Sequence, residues 1–461
     1  MDRVLLTVGG SDSSGGAGIQ ADIKTFGALG FHGSSAITAV TAQNTLGVLE
    51  VYPMAPEAVR SQLAALAEDF EISAAKTGML SSREAVQEVA VFFEREEIPL
   101  VVDPVVEAEA GGRLIEPEAL ELLVERLIPL ARVVTPNIFE AEAITGFRVA
   151  DEGSALRAGR AILDLGAEAA IVTGGHLDGD DVLVTGEGDW IIRGERVAGG
   201  NHGVGCTYSA SLAAFLAGGK DIEEAARLAK AFAAASVKKS IEVGRGASPV
   251  NPLGEALERA ERYDVLGDVS RGVEALLSEP ALVHLIPEVG SNLGMAISGA
   301  SGPGDVAAVE GRLVRAGKKV KACGSVRFGA SRHVARIILS AMSFDPGARA
   351  AMNLRFGEDV LEAALALGLS TSHFSREEEP EGRKTMSWGA GDAIRRFRSA
   401  SNTEDVADPG RISSPVPQVI WDRGGPGKEP MVRLLGRSAG EVADLAVKIA
   451  RGPSVRREPI N

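Results

Sequence analysis

The feature that most constrains the fold is an alternation of short apolar runs with amphipathic stretches through residues 1–262. The apolar runs predict strands at Val4–Val8, Ser34–Val40, Ala74–Thr77, Leu100–Val102, Val133–Thr135 and Ala169–Thr173. The amphipathic stretches predict helices at Ala17–Leu29, Pro56–Asp69, Arg83–Arg95, Pro117–Leu127, Ser154–Leu165, Thr207–Ala217 and Ile222–Val243. Such alternation indicates an α/β fold with a doubly wound, mainly parallel sheet. Ligands of these sheets bind at the carboxyl ends of the strands.

The length of 461 residues indicates two domains, because single cores rarely grow beyond ~300 residues. We place the domains at residues 1–262 and 263–461, with Pro249–Asp268 either a linker or the last helix of the first domain and a short joint. The second half predicts strands at Lys319–Ala322, Val416–Trp421 and Met431–Leu435. It predicts helices at Val269–Leu277, Asp305–Ala316, His333–Met342, Pro346–Asn353, Glu358–Leu367 and Ala439–Ala450. This half is a second α/β domain whose strand order the pattern leaves open.

Charge and cysteine usage exclude several classes of partner. Residues 1–262 hold 22 basic against 39 acidic side chains, and the remainder holds 26 against 24. An acidic first half disfavours nucleic acid or an anionic membrane as its partner. There is no apolar run of ~18 residues and no signal-peptide pattern at the N-terminus, so we expect no membrane partner. Two cysteines, Cys206 and Cys323, give no disulfide framework and suit a cytoplasmic protein.

Two glycine-rich segments each open a predicted helix. The first is SDSSGGAGIQAD at Ser11–Asp22, where small residues let the backbone approach a ligand and a helix N-terminus favours an anion. The second is NHGVGC at Asn201–Cys206, where the amides of Val204, Gly205 and Cys206 are placed to form an anion hole. Cys206 lies where a helix N-terminus favours a thiolate, although a lone cysteine is more often a small buried apolar residue.

These two segments, in order with five others, resemble the hydroxymethylpyrimidine and phosphomethylpyrimidine kinases of the ribokinase superfamily. The resemblance covers about residues 1–260, and the other stretches are TAVTAQNTLGV at Thr38–Val48, KTGML at Lys76–Leu80, VVDPV at Val101–Val105, TPNIFEAE at Thr135–Glu142 and VTGGH at Val172–His176. It implies a ribokinase-like fold and phosphorylation of a pyrimidine from ATP. Relatives of this kinase are often dimers, so we expect a homodimer or a higher homo-oligomer.

The resemblance also implies the residues of the kinase site. The pyrimidine is held by positions that match Gly10, Ala17, Gln43, Met79 and Val105. Gln43 suits this task because an amide has both a donor and an acceptor for an aminopyrimidine edge. From spacing alone, an exposed amide at a strand end is the favoured interpretation. Positions that organise ATP phosphates and Mg²⁺ match Asp103, Asn137, Glu140 and Thr173, with Asp103 and Glu140 as metal ligands. Asn137 is equally suited to cap a helix.

The anion hole implied by the resemblance is formed at Gly203, Val204 and Gly205, next to Cys206 as the catalytic residue. Most ribokinase relatives carry an aspartate where this subfamily carries cysteine, so the identity of the base stays open, and Asp22 is another candidate proton acceptor. The sequence departs from the family pattern in reading GVGC in place of GTGC. Thr173 and Glu109 also stand where many relatives have lysine.

The second half contains cations near turns rich in glycine and serine, in SNLGMAISGA at Ser291–Ala300, VRFGASRHVARIIL at Val326–Leu339, MNLRF at Met352–Phe356 and DRGGPGKEPMVRLLG at Asp422–Gly436. Arginine binds phosphate bidentately and glycine clears its approach. The candidates for binding phosphate are Arg327, Ser331, His333, Arg336, Arg355, Asp422, Arg423 and Lys428. For any single arginine, a solvated surface position or a carboxylate partner is the simpler interpretation.

These stretches resemble the thiamine-phosphate synthase domain that is fused behind this kinase in some prokaryotes, over about residues 270–452. The implied reaction joins hydroxymethylpyrimidine diphosphate to a thiazole phosphate and releases diphosphate. Arg327 and His333 are the implied catalytic residues, and Asp422 is a candidate Mg²⁺ ligand. The same type of domain also occurs as a ligand sensor, so two hypotheses stand: a bifunctional enzyme, or a kinase with a non-catalytic module that binds thiamine phosphate.

Overall fold

The structure is a computed structural model that describes residues 3–107, 114–175, 178–379, 385–401 and 414–456, with 385–387 and 401 described in their backbone only. The chain divides into two compact units, Met1–Leu257 and Glu258–Asn461. No helix in the described ranges is long and apolar enough to cross a membrane.

The first unit is built on a nine-stranded sheet. Its strands are β1 Val4–Asp12, β2 His32–Asn44, β3 Gly47–Pro53, β4 Ile72–Thr77, β5 Leu100–Val102, β6 Val133–Val134, β7 Ala169–Val172, β8 Asp181–Thr185 and β9 Asp189–Ile192. The order is β3-β2-β1-β4-β5-β6-β7-β8-β9. The six neighbouring strands β2, β1, β4, β5, β6 and β7 run parallel. At the two edges of the sheet, β3, β8 and β9 pair with their neighbours in antiparallel fashion. The predicted α/β fold with a mainly parallel sheet is confirmed.

The first unit's α-helices are α1 Gly18–Ala28, α2 Pro56–Asp69, α3 Arg83–Phe93, α4 Pro117–Leu122, α5 Ile138–Thr145, α6 Glu152–Asp164, α7 Val204–Ala217 and α8 Ile222–Lys238. A π turn at Leu123–Leu127 and a 3-10 turn at Ile128–Leu130 follow α4. The central strands read as unbroken apolar runs because both faces of the sheet are buried, with Val101, Val133 and Ile171 facing α7 and α8. The sequence pattern missed β3, β8, β9 and the eight-residue α5.

A 25-residue helix, α9 Gly254–Ser278, contains the division between the two units. It covers most of the stretch where the sequence predicted either a linker or a last helix with a short joint, and the helix predicted at Val269–Leu277 is part of it.

The second unit contains a seven-stranded sheet of mostly antiparallel strands. The strands of the unit as a whole are β10 Leu293–Ala296, β11 Val306–Val309, β12 Leu313–Ala316, β13 Lys319–Ala322, β14 Val326–Phe328, β15 Ala350–Arg355, β16 Thr371–His373, β17 Val419–Asp422 and β18 Met431–Gly436. The order is β14-β11-β10-β15-β18-β17-β16, while β12 and β13 form a separate hairpin. Among the described strands of this sheet, β16 and β17 are the one pair that runs parallel.

Helices cover both faces of this sheet. They are α10 Arg332–Met342, α11 Glu358–Ala366, α12 Thr385–Ser401 and α13 Ala439–Arg451, with 3-10 turns at Pro280–Leu285, Pro303–Asp305 and Arg376–Glu378. One core contains residues of α13 and α11, and the other contains residues of α10 and α12.

Two helices predicted for the second half are wrong. Residues of the predicted helix Asp305–Ala316 form β11 and β12, because Gly311 and Arg312 take φ angles of 73° and 93° and turn the chain between two strands. The second half of the predicted helix Pro346–Asn353 belongs to β15, which lies between β10 and β18. Its residues Ala350–Leu354 are all buried, and an apolar run of this length does not distinguish a buried strand from a helix.

Candidate active sites

A cavity of about 1680 Å³ collects the residues predicted for the kinase site in the first unit. It is lined by Gly10, Ala17, Gln43, Met79, Asp103, Val105, Asn137, Glu140, Thr173, Gly203, Val204, Gly205 and Cys206. Asp12, Lys76 and His202 also line it, and sequence reasoning assigned them no role. Glu109 lies outside the described residues. The two glycine-rich segments and the strand-end residues therefore meet at one place.

Asp12, at the end of β1, organises the glycine-rich turn before α1. Its carboxylate accepts hydrogen bonds from the amides of Ser14, Gly16 and Ala17 at 2.8, 3.1 and 2.8 Å, and from the Ser14 hydroxyl at 2.9 Å. Nε2 of His202 lies 3.0 Å from the same carboxylate. Burial alone would raise the pKa of Asp12, but hydrogen bonds from His202, Ser14 and Ala17 outweigh it and lower the pKa to about 2.

The segment Asn201–Cys206, called the anion loop below, packs directly on the glycine-rich turn. Gly203 has a φ of +86° and stands immediately before α7, and a Cβ there would lie 2.0 Å from the carbonyl oxygen of Gly16. A Cβ on Gly16 would in turn lie 2.3 Å from Cδ2 of His202. Both positions therefore require glycine, Gly203 for its backbone conformation as well as its space. Val204 begins α7, so the predicted anion hole is at a helix N-terminus.

Lys76 is buried beneath the cavity and joins two carboxylates. Its Nζ lies 3.1 and 3.2 Å from the oxygens of Asp22 and 3.6 Å from Asp103, and the Lys76 and Asp22 side chains are each 1% exposed. Thr7 donates a further hydrogen bond of 2.6 Å to Asp22. Burial raises the pKa of Asp22 against the opposing effect of Lys76. The Asp22 carboxylate is thus committed to Lys76 and Thr7, which does not fit its predicted role as a proton acceptor for substrate.

Cys206 is half-buried at the start of α7. Burial, together with the carboxylates of Asp22 and Asp103, raises the pKa of its thiol to about 12, although Lys76 acts in the opposite direction. The expectation of a thiolate at this position is therefore wrong, because burial and two anions outweigh the nearby lysine. The thiol is protonated at neutral pH and can donate a hydrogen bond.

Asp103 and Glu140 form a pair of carboxylates beside the cavity. Ser209 donates to Asp103 at 2.8 Å, and Asn137 caps α5 in a reciprocal capping box with Glu140, as its alternative interpretation predicted. Burial and the charge of Asp103 raise the pKa of Glu140 to about 8. Within the described ranges no group of three or more His, Cys, Asp or Glu residues could hold a metal ion. Two carboxylates suit Mg²⁺ that also binds phosphates and water, so the donor set fits that ion.

The residues predicted to hold the pyrimidine line the same cavity. A Cβ on Gly10 would lie 2.9 Å from the sulfur of Met79, so Gly10 leaves Met79 the room to reach the cavity. Met79 is 8% exposed, and Val105 is half-buried. The Gln43 amide lies 3.1 Å from the Thr41 hydroxyl and 3.4 Å from Nε2 of His202. An apolar slot next to one amide suits a flat aminopyrimidine.

In the second unit, Asp422 holds two arginines. Its side chain is fully buried and pairs with Arg376, which is 9% exposed, and with Arg433, whose Nη2 lies 2.8 Å away. The predicted role of Asp422 as a Mg²⁺ ligand is wrong, because both oxygens are occupied by guanidinium groups. Arg376 forms this buried pair and also lies over Phe374 at 6.0 Å.

His333 lies among four arginines at the start of α10. The side chain is exposed at its outer edge, yet desolvation and the charges of Arg433, Arg312, Arg376 and Arg336 lower its pKa to about 4. Ser331 caps α10 by accepting a hydrogen bond from the Val334 amide at 3.4 Å, so His333 does not serve as the cap. Cations around a helix N-terminus form a place where an anion is stabilised.

The other predicted phosphate ligands of the second unit pair with carboxylates. Arg327 lies 2.5 Å from Glu310, Arg355 bonds Asp359, Arg423 lies 2.8 Å from Glu358, and Lys428 lies 3.0 Å from Glu379. Arg336 is half-buried and contributes to the charge around His333. Arg376, Arg433 and Arg312 were missed. A charged residue within an apolar strand, as Arg433 is in MVRLLG, was the available signal, since buried charge is retained only with a partner.

Two family models match the chain in sequence. A phosphomethylpyrimidine kinase model matches residues 12–251, and a thiamine-phosphate synthase ThiN model matches residues 268–448. The first match contains Lys76 and Cys206 of the cavity, and the second contains His333 and Asp422.

Known proteins are similar over one half or over nearly the whole chain. A hydroxymethylpyrimidine/phosphomethylpyrimidine kinase of Rhizobium meliloti is 45% identical over 54% of this chain and 97% of its own length. The Bacillus subtilis pyridoxal kinase, solved as an ADP complex, is 34% identical over 56% of this chain and all of its own, with a TM-score of 0.52. A bifunctional thiamine biosynthesis protein ThiDN of Methanocaldococcus jannaschii is 33% identical over 95% of this chain and 96% of its own length. The chain therefore belongs to the family of bifunctional thiamine biosynthesis proteins that join a phosphomethylpyrimidine kinase to a ThiN-type thiamine-phosphate synthase.

Proposed function

We propose that the chain carries out two successive steps of thiamine phosphate assembly. Residues 1–262 phosphorylate 4-amino-5-hydroxymethyl-2-methylpyrimidine from ATP, first to its phosphate and then to its diphosphate. Residues 263–461 condense that diphosphate with thiazole phosphate to give thiamine phosphate. The observation that carries the kinase assignment is the single cavity that unites the glycine-rich turn, the anion loop and the carboxylate pair.

In the kinase site, the substrate ring lies between Met79 and Val105, and Gln43 bonds its polar edge. The amides of Val204, Gly205 and Cys206 at the N-terminus of α7 receive the phosphoryl group in transfer, because they are fixed before reaction. The neutral Cys206 thiol donates to a phosphoryl oxygen and does not act as a base. Lys76 offsets the charges of Asp22 and Asp103, which would otherwise repel the phosphates.

For the kinase we propose Mg²⁺ as the metal, held by Asp103 and Glu140 near Asn137 and Thr173. When bound, this ion offsets the negative charge of the ATP phosphates. Asp103 is kept in place by Ser209, and Glu140 by the Asn137 amide at 2.8 Å.

In the synthase site, the bond between the pyrimidine methylene and the diphosphate oxygen breaks as the thiazole nitrogen bonds that methylene. Diphosphate leaves with the electron pair, so the site needs fixed cations. Arg376 and Arg433, held by Asp422, supply them beside His333, Arg336 and the N-terminus of α10. Arg327 reaches an anion only by leaving Glu310, which its exposure allows at little cost because surface ion pairs are weak.

A single reaction mixture tests the proposal. Purified protein is supplied with hydroxymethylpyrimidine, ATP, Mg²⁺ and thiazole phosphate, and products are separated by chromatography. We expect thiamine phosphate without any added synthase, and His333→Ala should accumulate the pyrimidine diphosphate instead. If the wild-type protein accumulates the pyrimidine diphosphate and forms no thiamine phosphate, yet binds thiamine phosphate that is added separately, the second unit would be assigned to sensing.

We further propose that the protein acts in the cytoplasm on these small phosphorylated substrates, without nucleic acid or membrane partners, and as a homodimer or larger homo-oligomer. The acidic first half and the pair of unlinked cysteines support the first part. Sedimentation of the purified chain measures the second.

A further inference from the structure

A chain of polar contacts joins the glycine-rich turn, the anion loop and the pyrimidine pocket. The carboxylate of Asp12 lies 3.0 Å from Nε2 of His202, and that nitrogen lies 3.4 Å from the side-chain amide nitrogen of Gln43. The amide oxygen of Gln43 lies 3.1 Å from the Thr41 hydroxyl, which itself lies 3.1 Å from the carbonyl of Ser11. Each of these atoms can hold a limited number of protons, so their roles can be assigned.

The proton on His202 is fixed by Asp12. A carboxylate that receives three amides and a hydroxyl is ionised and only accepts, so Nε2 of His202 must carry a hydrogen to bond it. This holds for both the neutral and the charged imidazole. The His202 backbone is fixed as well, because its carbonyl accepts from the Val250 amide at 3.1 Å.

The orientation of the Gln43 amide then follows. With its nitrogen toward His202, two donors would face each other at 3.4 Å, and the Thr41 hydroxyl would need to donate to two acceptors with one hydrogen. A half-turn of the amide removes the donor–donor contact and leaves Thr41 with one acceptor, while the Nε2 hydrogen of His202 is shared between Asp12 at 3.0 Å and the Gln43 oxygen at 3.4 Å. The amide oxygen then faces the Nε2–H of His202, the amide nitrogen donates to Thr41, and Thr41 donates to Ser11.

We propose that Asp12 and His202 are positioning residues that fix the Gln43 amide in one orientation and thereby select an aminopyrimidine over its oxo analogue. This inference rests on the proposed kinase function. In the fixed orientation, one N–H and one oxygen lone pair of Gln43 remain for the substrate edge. The 4-amino pyrimidine presents a donor beside an acceptor, whereas the 4-oxo analogue presents an acceptor beside a donor.

A comparison of the two substrates tests the inference. The value of kcat/KM is measured for the 4-amino pyrimidine and for its 4-oxo analogue, in the wild-type protein, in His202→Phe and in His202→Gln. His202→Phe keeps a ring but removes the donor, which frees the amide to turn. His202→Gln keeps an N–H near the original position. We expect His202→Phe to lower the amino-to-oxo preference by about tenfold, mostly through KM, and His202→Gln to restore it.

A second variant covers the case in which His202→Phe does not fold. Thr41→Val removes the other partner of the amide with little change in shape, and it should lower the same preference. Equal losses on both substrates, or an unchanged preference in folded His202→Phe and Thr41→Val, would overturn the inference. A wild-type protein that phosphorylates neither pyrimidine would instead overturn the proposed kinase function, and the inference with it.

Discussion

The surroundings of Cys206 determine the protonation state of its thiol. A thiol at a helix N-terminus would ordinarily lose its proton readily. Here burial and the carboxylates of Asp22 and Asp103 raise its pKa to about 12, so the group next to the transferred phosphoryl is a neutral donor. That distinction can be tested by substitution.

We predict that Cys206→Ala lowers kcat for phosphorylation of the free alcohol by about 10²-fold, as loss of one fixed donor does elsewhere. Cys206→Ser should retain most of the rate, because a hydroxyl is also a neutral donor. Steady-state kinetics with both variants, alongside their melting temperatures, measure this. A serine variant as slow as the alanine variant would favour a thiolate mechanism.

Lys76 is expected to matter for stability as well as for phosphate binding. Lys76→Met leaves Asp22 buried without its partner, and losses of about 3–5 kcal/mol are typical when one member of a buried pair is removed. Calorimetry of the full chain should show a lowered melting temperature for the transition of the first unit. Lys76→Met combined with Asp22→Asn should recover part of the loss. No shift in the single variant would contradict the burial that the structure shows.

At the scale of elements, prediction succeeded where a pattern has one interpretation. The central strands of the parallel sheet were found because they are buried apolar runs between helices, and α2 at Pro56–Asp69 has the predicted bounds. It failed for β11 and β15, whose apolar runs also suit a helix, and for edge strands such as β9, which is only partly buried.

The same limit applies to the candidate sites. Glycine-rich turns point to a phosphate site through local backbone requirements, so the segments Ser11–Asp22 and Asn201–Cys206 could be predicted from the residues, whereas Gly10 came from the family resemblance. Lys76 and His202 act through partners distant in sequence, Asp22 and Asp12, and their spacing gave no sign of those contacts. Arg433 pairs with Asp422 of the same stretch, and its place in an apolar strand was the signal.

The surroundings of His333 at the N-terminus of α10 lead to a prediction about how stability depends on pH. Desolvation and four arginines lower the folded-state pKa of His333 from 6.5 to about 4. The unfolded state therefore binds more protons between pH 6.5 and 4, and acidification through this range removes stability. A bound anion offsets the arginines, so it should raise the pKa. NMR titration, with His333→Ala to assign the signal, should give a midpoint near 4 that rises when sulfate is added. A midpoint near 6.5 without sulfate would show that the arginines do not act on His333.

At the scale of the whole molecule, two compact units match two separate family models. We predict that residues 1–262 expressed alone keep kinase activity, since the cavity is lined only by residues from Gly9 to Ala247. The cut falls within α9, so residues 1–251 form a useful second fragment. Kinase assays against the full chain measure the result. Two soluble but inactive fragments would mean that residues beyond 262 complete the kinase.

The contact between Gly16 and Gly203 bears on how this chain can change over generations. A side chain at Gly203 would lie 2.0 Å from the carbonyl oxygen of Gly16, a backbone atom that no neighbouring substitution removes, whereas a side chain at Gly16 would lie 2.3 Å from the ring of His202. Under random mutagenesis with selection for pyrimidine phosphorylation, surviving clones should therefore keep Gly203, and should change Gly16 only when His202 also changes. The two loops are free to drift in composition, but not at the point where they touch.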